Sequence, residues 1–380
     1  MQTVGVICEY NPFHLGHKKQ LDAIRARFGE EAAIVCLMSG NFVQRGYPAV
    51  FDKMHRAEAA LRCGADLVLE LPIQYALSSA EGFAAGGVSI LSSLCDTLCF
   101  GAETADANRL MGTARALLTE DFSAALRRHL DAGLSFPAAR QAALTDLGAD
   151  GALLETPNNI LAVEYCKAII AQGSSLDIFP LQRIGSYHDT QADATEPSAT
   201  AVRKLMADHG DWQHYVPEQA HAAFLDATVH RLHWGEKAML CKLRTMTDAE
   251  FEALPYGSEG LWRKLMHESR RQPTLEGILT AVKSKRYTRT RLDRMVMCAF
   301  LGLTAADLET QPPYVRVLAF SDRGRAILSR HRESGFLRNI GEDTRQEYQQ
   351  LERRCTALFG LFAEHPESPD AEDDYRVIYK

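Results

Sequence analysis

In the first hundred or so residues, short apolar runs alternate with mixed, amphipathic stretches. Residues 4–7, 32–38, 66–71 and 96–100 read as buried strands, the third stopped by Pro72 and the fourth ending in Gly101-Ala102-Glu103. Helical patterns lie between them. One runs on from Lys18, one spans 53–63 with Asp52 as cap and Gly64 closing it, and one runs from Ser78 or Ser79 to about 94. Such alternation predicts an α/β fold, a doubly wound parallel sheet. Ligands of such sheets bind beyond the carboxyl ends of the strands. The turn 9–17, the loop 39–46 and the Phe100-Gly101 turn all fall on that edge. From 106 to 173 the strand signal fades into helices over 106–118, 123–133, 137–147 and 160–171, read as a helical insertion. A fifth strand, 176–181, leads into Gln182-Arg183-Ile184. Residues 190–197 are a loop by composition, and Ser198 opens a helix that Gly210 ends. Past about 215 the pattern is mostly helical. The predicted domains are therefore 1–215, with its insertion over about 106–173, and a mainly helical 216–380. The acidic, proline-containing tail from 364 is expected to be exposed and poorly packed.

A chain of 380 residues predicts about two or three units around a substantial core. Charged residues at 24% and hydrophobic ones at 46% are ordinary for a globular protein. The net charge of −7 does not suit a nucleic-acid binder, so an RNA site needs a local basic patch. One exists: Lys283, Lys285, Arg286, Arg289, Arg291 and Arg294, with Tyr287 interleaved and a single acid, Asp293. Lysine and arginine supply most phosphate contacts, and an aromatic ring offers a stacking surface. Methionines 239, 246, 266, 295 and 297 lie on helical patterns and read as core filler. Nine cysteines without a Cys-x-x-Cys pair point to reduced thiols and a cytoplasmic setting, with no zinc-type spacing. No secretory signal pattern and no run of about 18 apolar residues is present, so no membrane association is expected.

The densest chemistry is Cys8-Glu9-Tyr10-Asn11-Pro12-Phe13-His14-Leu15-Gly16-His17. It joins the first strand to a helix through Asn-Pro turn chemistry. Free N–H groups and the positive end of the helix dipole make such a corner an anion site. Two imidazoles beside a glycine add donors for a polyphosphate, with room for close approach. Asn41, Gln44 and Arg45 fall on the same edge; a small carboxylate needs a cation or several donors, and arginine binds one bidentately.

The His-x-Gly-His spacing resembles the signature of the HIGH-motif nucleotidyltransferases. Three longer blocks narrow the likeness: residues 9–17, then Met38-Ser39-Gly40-Asn41-Phe42 with Gln44-Arg45-Gly46, then Pro157-Asn158-Asn159-Ile160-Leu161. Together they resemble the bacterial tRNA(Met) cytidine acetate ligases, most clearly over 1–205. The resemblance implies that ATP is bound by Ile7, Cys8, Glu9, Tyr10, Asn11, Pro12, Phe13, His14, Leu15, Gly16, His17, Lys18, Lys19 and Gln20, with His14 and His17 catalytic. It adds Gly101, Asn158, Asn159, Arg183 and Ile184 around the adenosine. Ser198, Thr200 and Arg203 resemble the family's Ser-Ser-Thr-x-x-Arg phosphate element, with Ala199 in place of the middle hydroxyl. Asn41, Gln44 and Arg45 become the acetate pocket, and the basic cluster the tRNA surface. The implied reaction activates acetate as acetyl-adenylate and transfers acetyl to the wobble cytidine of elongator tRNA(Met). Mg²⁺ accompanies the triphosphate, without a nameable protein ligand. Two alternatives stay open at this point: a small-molecule adenylyltransferase of the pantetheine-phosphate or nicotinamide-nucleotide type, and a non-catalytic RNA-binding protein. The oligomeric state is not legible.

Overall fold

The structure is a computed structural model that describes residues 1–183, 197–208, 210–284, 286–340 and 346–380. The predicted alternation is present as β1 (Thr3–Cys8), α1 (Leu15–Phe28), β2 (Ala33–Ser39), α2 (Lys53–Arg62), β3 (Leu67–Leu71), α3 (Ala80–Leu91) and β4 (Thr97–Ala102). The insertion follows as α4 (Ala107–Leu117), α5 (Glu120–Asp131), α6 (Phe136–Asp146) and α7 (Pro157–Ala171), then β5 (Asp177–Gln182) and α8 (Ala199–Ala207). Every residue of β2 and β3 is buried, as near-continuous apolar strands covered on both faces require. Asp52 caps α2 by accepting from the N–H groups of Met54 and His55 at 2.8 and 2.9 Å. Helix α5 begins three residues earlier than the sequence suggests, because Thr119 rather than Ser123 opens it, accepting from Phe122 N–H at 3.2 Å.

The remainder comprises α9 (Glu218–Leu225), α10 (Leu232–Thr245), α11 (Leu261–Ser269), α12 (Leu275–Val282), α13 (Arg289–Leu301), β6 (Val315–Phe320), α14 (Asp322–His331), β7 (Leu337–Asn339), α15 (Gln346–Phe359) and β8 (Ile378–Tyr379), with short helical turns between them. By compactness the chain divides into two units that interleave in sequence rather than parting once near 215. Unit 1 is Met1–Cys8, His14–Leu37 and Ala80–Pro217; unit 2 is Glu9–Phe13, Met38–Ser79 and Glu218–Lys380.

Unit 1 carries the strand order β2-β1-β4-β5. β1 and β4 run parallel, with Val4 opposite Thr97, and β4 and β5 run parallel from Thr97–Asp177 to Ala102–Gln182. Helix α7 packs on α3 and α4, which seats the insertion on this unit. The carboxyl ends of β4 and β5 release Glu103 and Arg183, and the turn to α1 delivers His14.

Unit 2 is more than helices. β3 pairs antiparallel with β6, and β7 and β8 add parallel to β6. Its helical core gathers Leu243, Phe251, Ile278, Leu292, Phe359 and Phe362 with Met239, Met246, Met295 and Met297, and Met266 at its margin. The tail from 364 is mostly exposed, as expected, but it is anchored: Glu372 is buried and Ile378–Tyr379 pairs with β6. Glu372 is drawn in by Lys53 Nζ at 2.9 Å and by the Arg316 guanidinium. Lys53 also meets Glu70 at 3.2 Å, and Arg316 meets Glu70 and Glu352 at 2.6 and 2.8 Å. Burying five charges costs several kcal/mol per ion, which close pairing must offset. All nine cysteines are free thiols and all but Cys241 are buried. Among the described residues no helix is long and apolar enough to cross a membrane.

Candidate functional site

His14 is the N-cap of α1, in extended backbone at φ −144°. Its Nδ1 accepts from Gly16 N–H at 3.1 Å, and His17 Nδ1 accepts from His14 N–H at 3.2 Å. The two histidines thus form the reciprocal box that Ser and Glu usually make at a helix start. The consequence is chemical. With both Nδ1 atoms accepting, each neutral ring carries its proton on Nε2. The rings stack at 3.7 Å between centroids, 27° apart. Burial pushes the His14 imidazole down to about 3, helped by the positive charges of Arg183 and Arg203. Burial, then His14 and Arg183, hold His17 well below its ordinary value. Both are therefore neutral N–H donors at physiological pH, not cations. Gly16 leaves room for this pair, since a Cβ there would stand 3.0 Å from His14 Cε1. The same Cβ would lie 3.9 Å from the carbonyl oxygen of Pro197, so the starts of α1 and α8 are neighbours.

Ser198 caps α8, its Oγ accepting from Ala201 N–H at 3.0 Å. Thr200 Oγ1 accepts from Arg203 Nη2 at 3.0 Å. Arg183 continues the ladder beyond β5, donating its N–H to Ala102 O at 2.9 Å. Its side chain lies along Gly101, where a Cβ would stand 2.8 Å from Arg183 Cδ. Gly101 therefore makes room for the arginine stem. A residue that sequence reasoning passed over, Glu103, organises the neighbouring corner. Its carboxylate accepts from Asn158 Nδ2 at 2.7 Å, Asn159 N–H at 2.7 Å, Asn158 N–H at 3.3 Å and Thr156 Oγ1 at 2.9 Å. These hydrogen bonds hold its pKa below the usual carboxylate range despite partial burial, which acts the other way. Asn159 is buried, with Oδ1 accepting from Thr104 N–H at 2.8 Å; Asn158 is half-buried. The signal for Glu103 was its place just after a strand end, beside Gly101. The result is a set of donors and cations: His14, His17 and Arg203 at two adjacent helix starts, and Arg183 at the end of β5. Such a set suits a polyphosphate.

The family model for HIGH Nucleotidyl Transferase matches residues 1–374. A tRNA(Met) cytidine acetate ligase of Clostridium novyi (strain NT) is 36% identical over 347 residues, covering 86% of each chain. The chain belongs to the HIGH nucleotidyl transferases and, within them, to the tRNA(Met) cytidine acetate ligase family. Solved structures agree. Thermotoga maritima TmcAL in its apo form I superimposes with a TM-score of 0.90 at 30% identity, covering 100% of this chain and 99% of that one. The same protein bound with alpha-thio ATP gives 0.87 at 29% identity, with 100% of both chains covered.

Many of the other residues that the family resemblance singled out have identifiable partners. In unit 1, Cys8 Sγ donates to Leu37 O at 3.8 Å, Gln20 Nε2 donates to Cys99 Sγ at 3.6 Å, Lys18 pairs with Asp22, and Ile7 and Leu15 are half-buried while Lys19 is exposed. Glu9, Tyr10, Asn11, Pro12 and Phe13 belong to unit 2. Glu9 Oε1 accepts from Gln44 N–H at 2.8 Å, Asn11 Oδ1 accepts from Val50 N–H at 2.8 Å, and Tyr10 meets Phe13 edge to face at 4.8 Å. Also in unit 2, Asn41 Oδ1 accepts from Lys53 N–H at 2.8 Å while its Nδ2 donates to Thr356 Oγ1 at 3.2 Å. Gln44 Nε2 donates to Ser78 O at 3.2 Å, and Arg45 is half-buried nearby in sequence. In the basic cluster, Arg286 pairs with Glu259 at 2.5 Å and Arg289 with Glu276 and Asp293 at 2.6 and 2.8 Å. Arg291 donates to Tyr256 O at 2.7 Å, Arg294 is buried over the Tyr256 ring, and Lys283 is exposed. Ile184 and Lys285 lie outside the described residues, as do 190–196 of the predicted loop.

Proposed function

We propose that this ligase binds ATP at the paired helix starts of unit 1, activates acetate as acetyl-adenylate, and acetylates the N4 amine of the wobble cytidine of elongator tRNA(Met). An acetate oxygen attacks the α-phosphorus, forming a P–O bond as pyrophosphate leaves. The cytidine amine then attacks the acetyl carbonyl carbon; the amide bond forms, AMP departs with the bridging oxygen, and the amine loses a proton. A carboxylate is already a nucleophile at neutral pH, so the first step needs no general base. What it needs is stabilisation of charge growing on the phosphoryl oxygens, and preorganised N–H donors provide that. His14 and His17 are cast as those donors through Nε2–H, Arg183 and Arg203 as fixed positive charge, and Ser198 and Thr200 as β- and γ-phosphate contacts at α8. Asn158, Asn159 and Gly101 line the adenosine side of the proposal. Arg45, with Asn41 and Gln44, is cast as the carboxylate-binding group.

The observation that carries this reading is the His14–His17 box, which fixes both tautomers so that two neutral donors stand together. Overlap along its full length with a TmcAL structure bound with alpha-thio ATP supports the nucleotide assignment. Mg²⁺ enters only as a companion of the triphosphate. Among the described residues no group of three or more His, Cys, Asp or Glu is arranged to hold a metal, and no step runs through one. The test is incorporation of radiolabelled acetate into bulk bacterial tRNA with and without ATP. ATP-dependent label that digests to N4-acetylcytidine is expected. Absence of label alongside ATP–pyrophosphate exchange driven by another acceptor would move the substrate to a small molecule.

A further inference from the structure

In the basic cluster most obvious in the sequence, Arg286 and Arg289 are paired with carboxylates and Arg291 and Arg294 are engaged by Tyr256, while Lys283 is exposed. Arg286 and Arg289 face Glu259 and Glu276, and Arg289 also holds the buried Asp293. Turning Arg289 to a phosphate would leave Asp293 with Tyr47 Oη, at 2.8 Å, as its remaining side-chain hydrogen bond. A second basic stretch is different. Between 323 and 338 stand five arginines, Arg323, Arg325, Arg330, Arg332 and Arg338, against one carboxylate, Glu333, in a chain of net charge −7. Two are anchored: Arg323 lies 3.5 Å from Asp66, and Arg325 lies 3.7 Å from Asp322 and 4.3 Å over the Tyr379 ring. The side chains of the other three have no hydrogen bond or ion pair among the described residues. Arg330 and Arg332 are exposed at the end of α14 and the turn after it, and Arg338 is half-buried in β7. Gly335, at φ 62°, folds that turn, and a Cβ there would stand 3.2 Å from Arg338 Nη2. The Arg338 guanidinium is thereby brought back against the turn that carries Arg332.

We infer that Arg330, Arg332 and Arg338 form a clamp for the sugar–phosphate backbone of the RNA substrate. The inference rests on the tRNA reading above and assigns the surface that holds it. Guanidinium groups are the preferred partners of phosphate, and unpaired ones need not first leave a carboxylate. Contacts of this kind fix position without reading sequence, and their strength falls with salt through counterion release.

The test is binding of the full chain to bulk bacterial tRNA by fluorescence anisotropy between 50 and 200 mM salt, with melting temperature as the fold control. The triple variant R330Q/R332Q/R338Q is expected to bind about tenfold or more weakly, with a salt slope shallower by about two, since each phosphate contact contributes roughly 0.7–0.9. R330K/R332K/R338K is expected to keep the slope, and R286Q/R289Q to stay within about threefold of the parent. A glutamine variant that keeps the parental affinity and slope overturns the assignment. So does a lysine variant that loses slope at an unchanged melting temperature. If the parent binds no tRNA, the RNA reading itself falls, and the clamp with it. If the parent binds and acetylates tRNA while the glutamine variant is unaffected, only the clamp falls.

Discussion

His14 has two separable jobs, and substitutions can part them. As a cap, its Nδ1 satisfies Gly16 N–H; as a donor, its Nε2–H is the group proposed to stabilise the α-phosphate. His14→Ala removes both. The lost cap costs about 1 kcal/mol, and a lost preorganised donor costs about 10²–10³ in rate, or roughly 3–4 kcal/mol of barrier. His14→Asn restores the cap, because asparagine is among the best N-cap residues, but offers no donor at the position of Nε2. The two variants should therefore share a 10²–10³-fold loss of acetate-dependent ATP–pyrophosphate exchange. Only the alanine variant should melt lower, by about 2–4 °C. An asparagine variant within threefold of the parental exchange rate would show that the imidazole is a cap and nothing more.

Three further predictions follow from the same geometry. Because burial and two arginines push His14 down to about 3, the adenylation rate should show no limb from histidine protonation between pH 5.5 and 8; a fall with an apparent pKa near 6.5 would mean that the imidazoles titrate normally. Glu103→Ala releases Asn158 and Asn159 together, so KM for ATP should rise about tenfold with a smaller change in kcat, as expected for lost positioning; an unchanged KM would remove Glu103 from the nucleotide corner. Burial pushes the Glu352 carboxyl up to about 7 within a cluster of three carboxylates and two cations. Its folded value thus exceeds its unfolded one, and stability is lost as pH rises from about 4.5 through 7. Glu352→Gln should melt closest to the parent near pH 4 and gain on it progressively as pH rises to 8, by a few degrees; the reverse order would refute the buried excess charge.

What the sequence disclosed tracks how local each feature is. The His14–His17 corner was legible because strand, proline turn and helix start lie within a dozen residues, and each obeys short-range rules. The strands of unit 1 were legible for the same reason. Glu103 was not, because its partners stand 53–56 positions away. The cluster of Lys53, Glu70, Arg316, Glu352 and Glu372 was still less so, with Lys53 and Glu372 separated by 319 positions. That distance also hid the anchoring of the tail, whose acidic composition signals the exposure most of it shows, while distant cations bury Glu372. Arg316 interrupts the apolar run of β6, so the strand resembled part of a helical region until its three carboxylate partners were visible. The basic segment around Arg289 read as a free patch because Glu259 and Glu276 lie elsewhere in the chain.

The central claim is that acetate attacks the α-phosphorus of ATP, and oxygen tracing addresses it directly. With ¹⁸O-labelled acetate, ATP and tRNA, the recovered AMP should carry one ¹⁸O atom, since the bridging oxygen of acetyl-adenylate leaves with AMP when the amide forms. AMP without label, or ADP as the nucleotide product, would contradict the account.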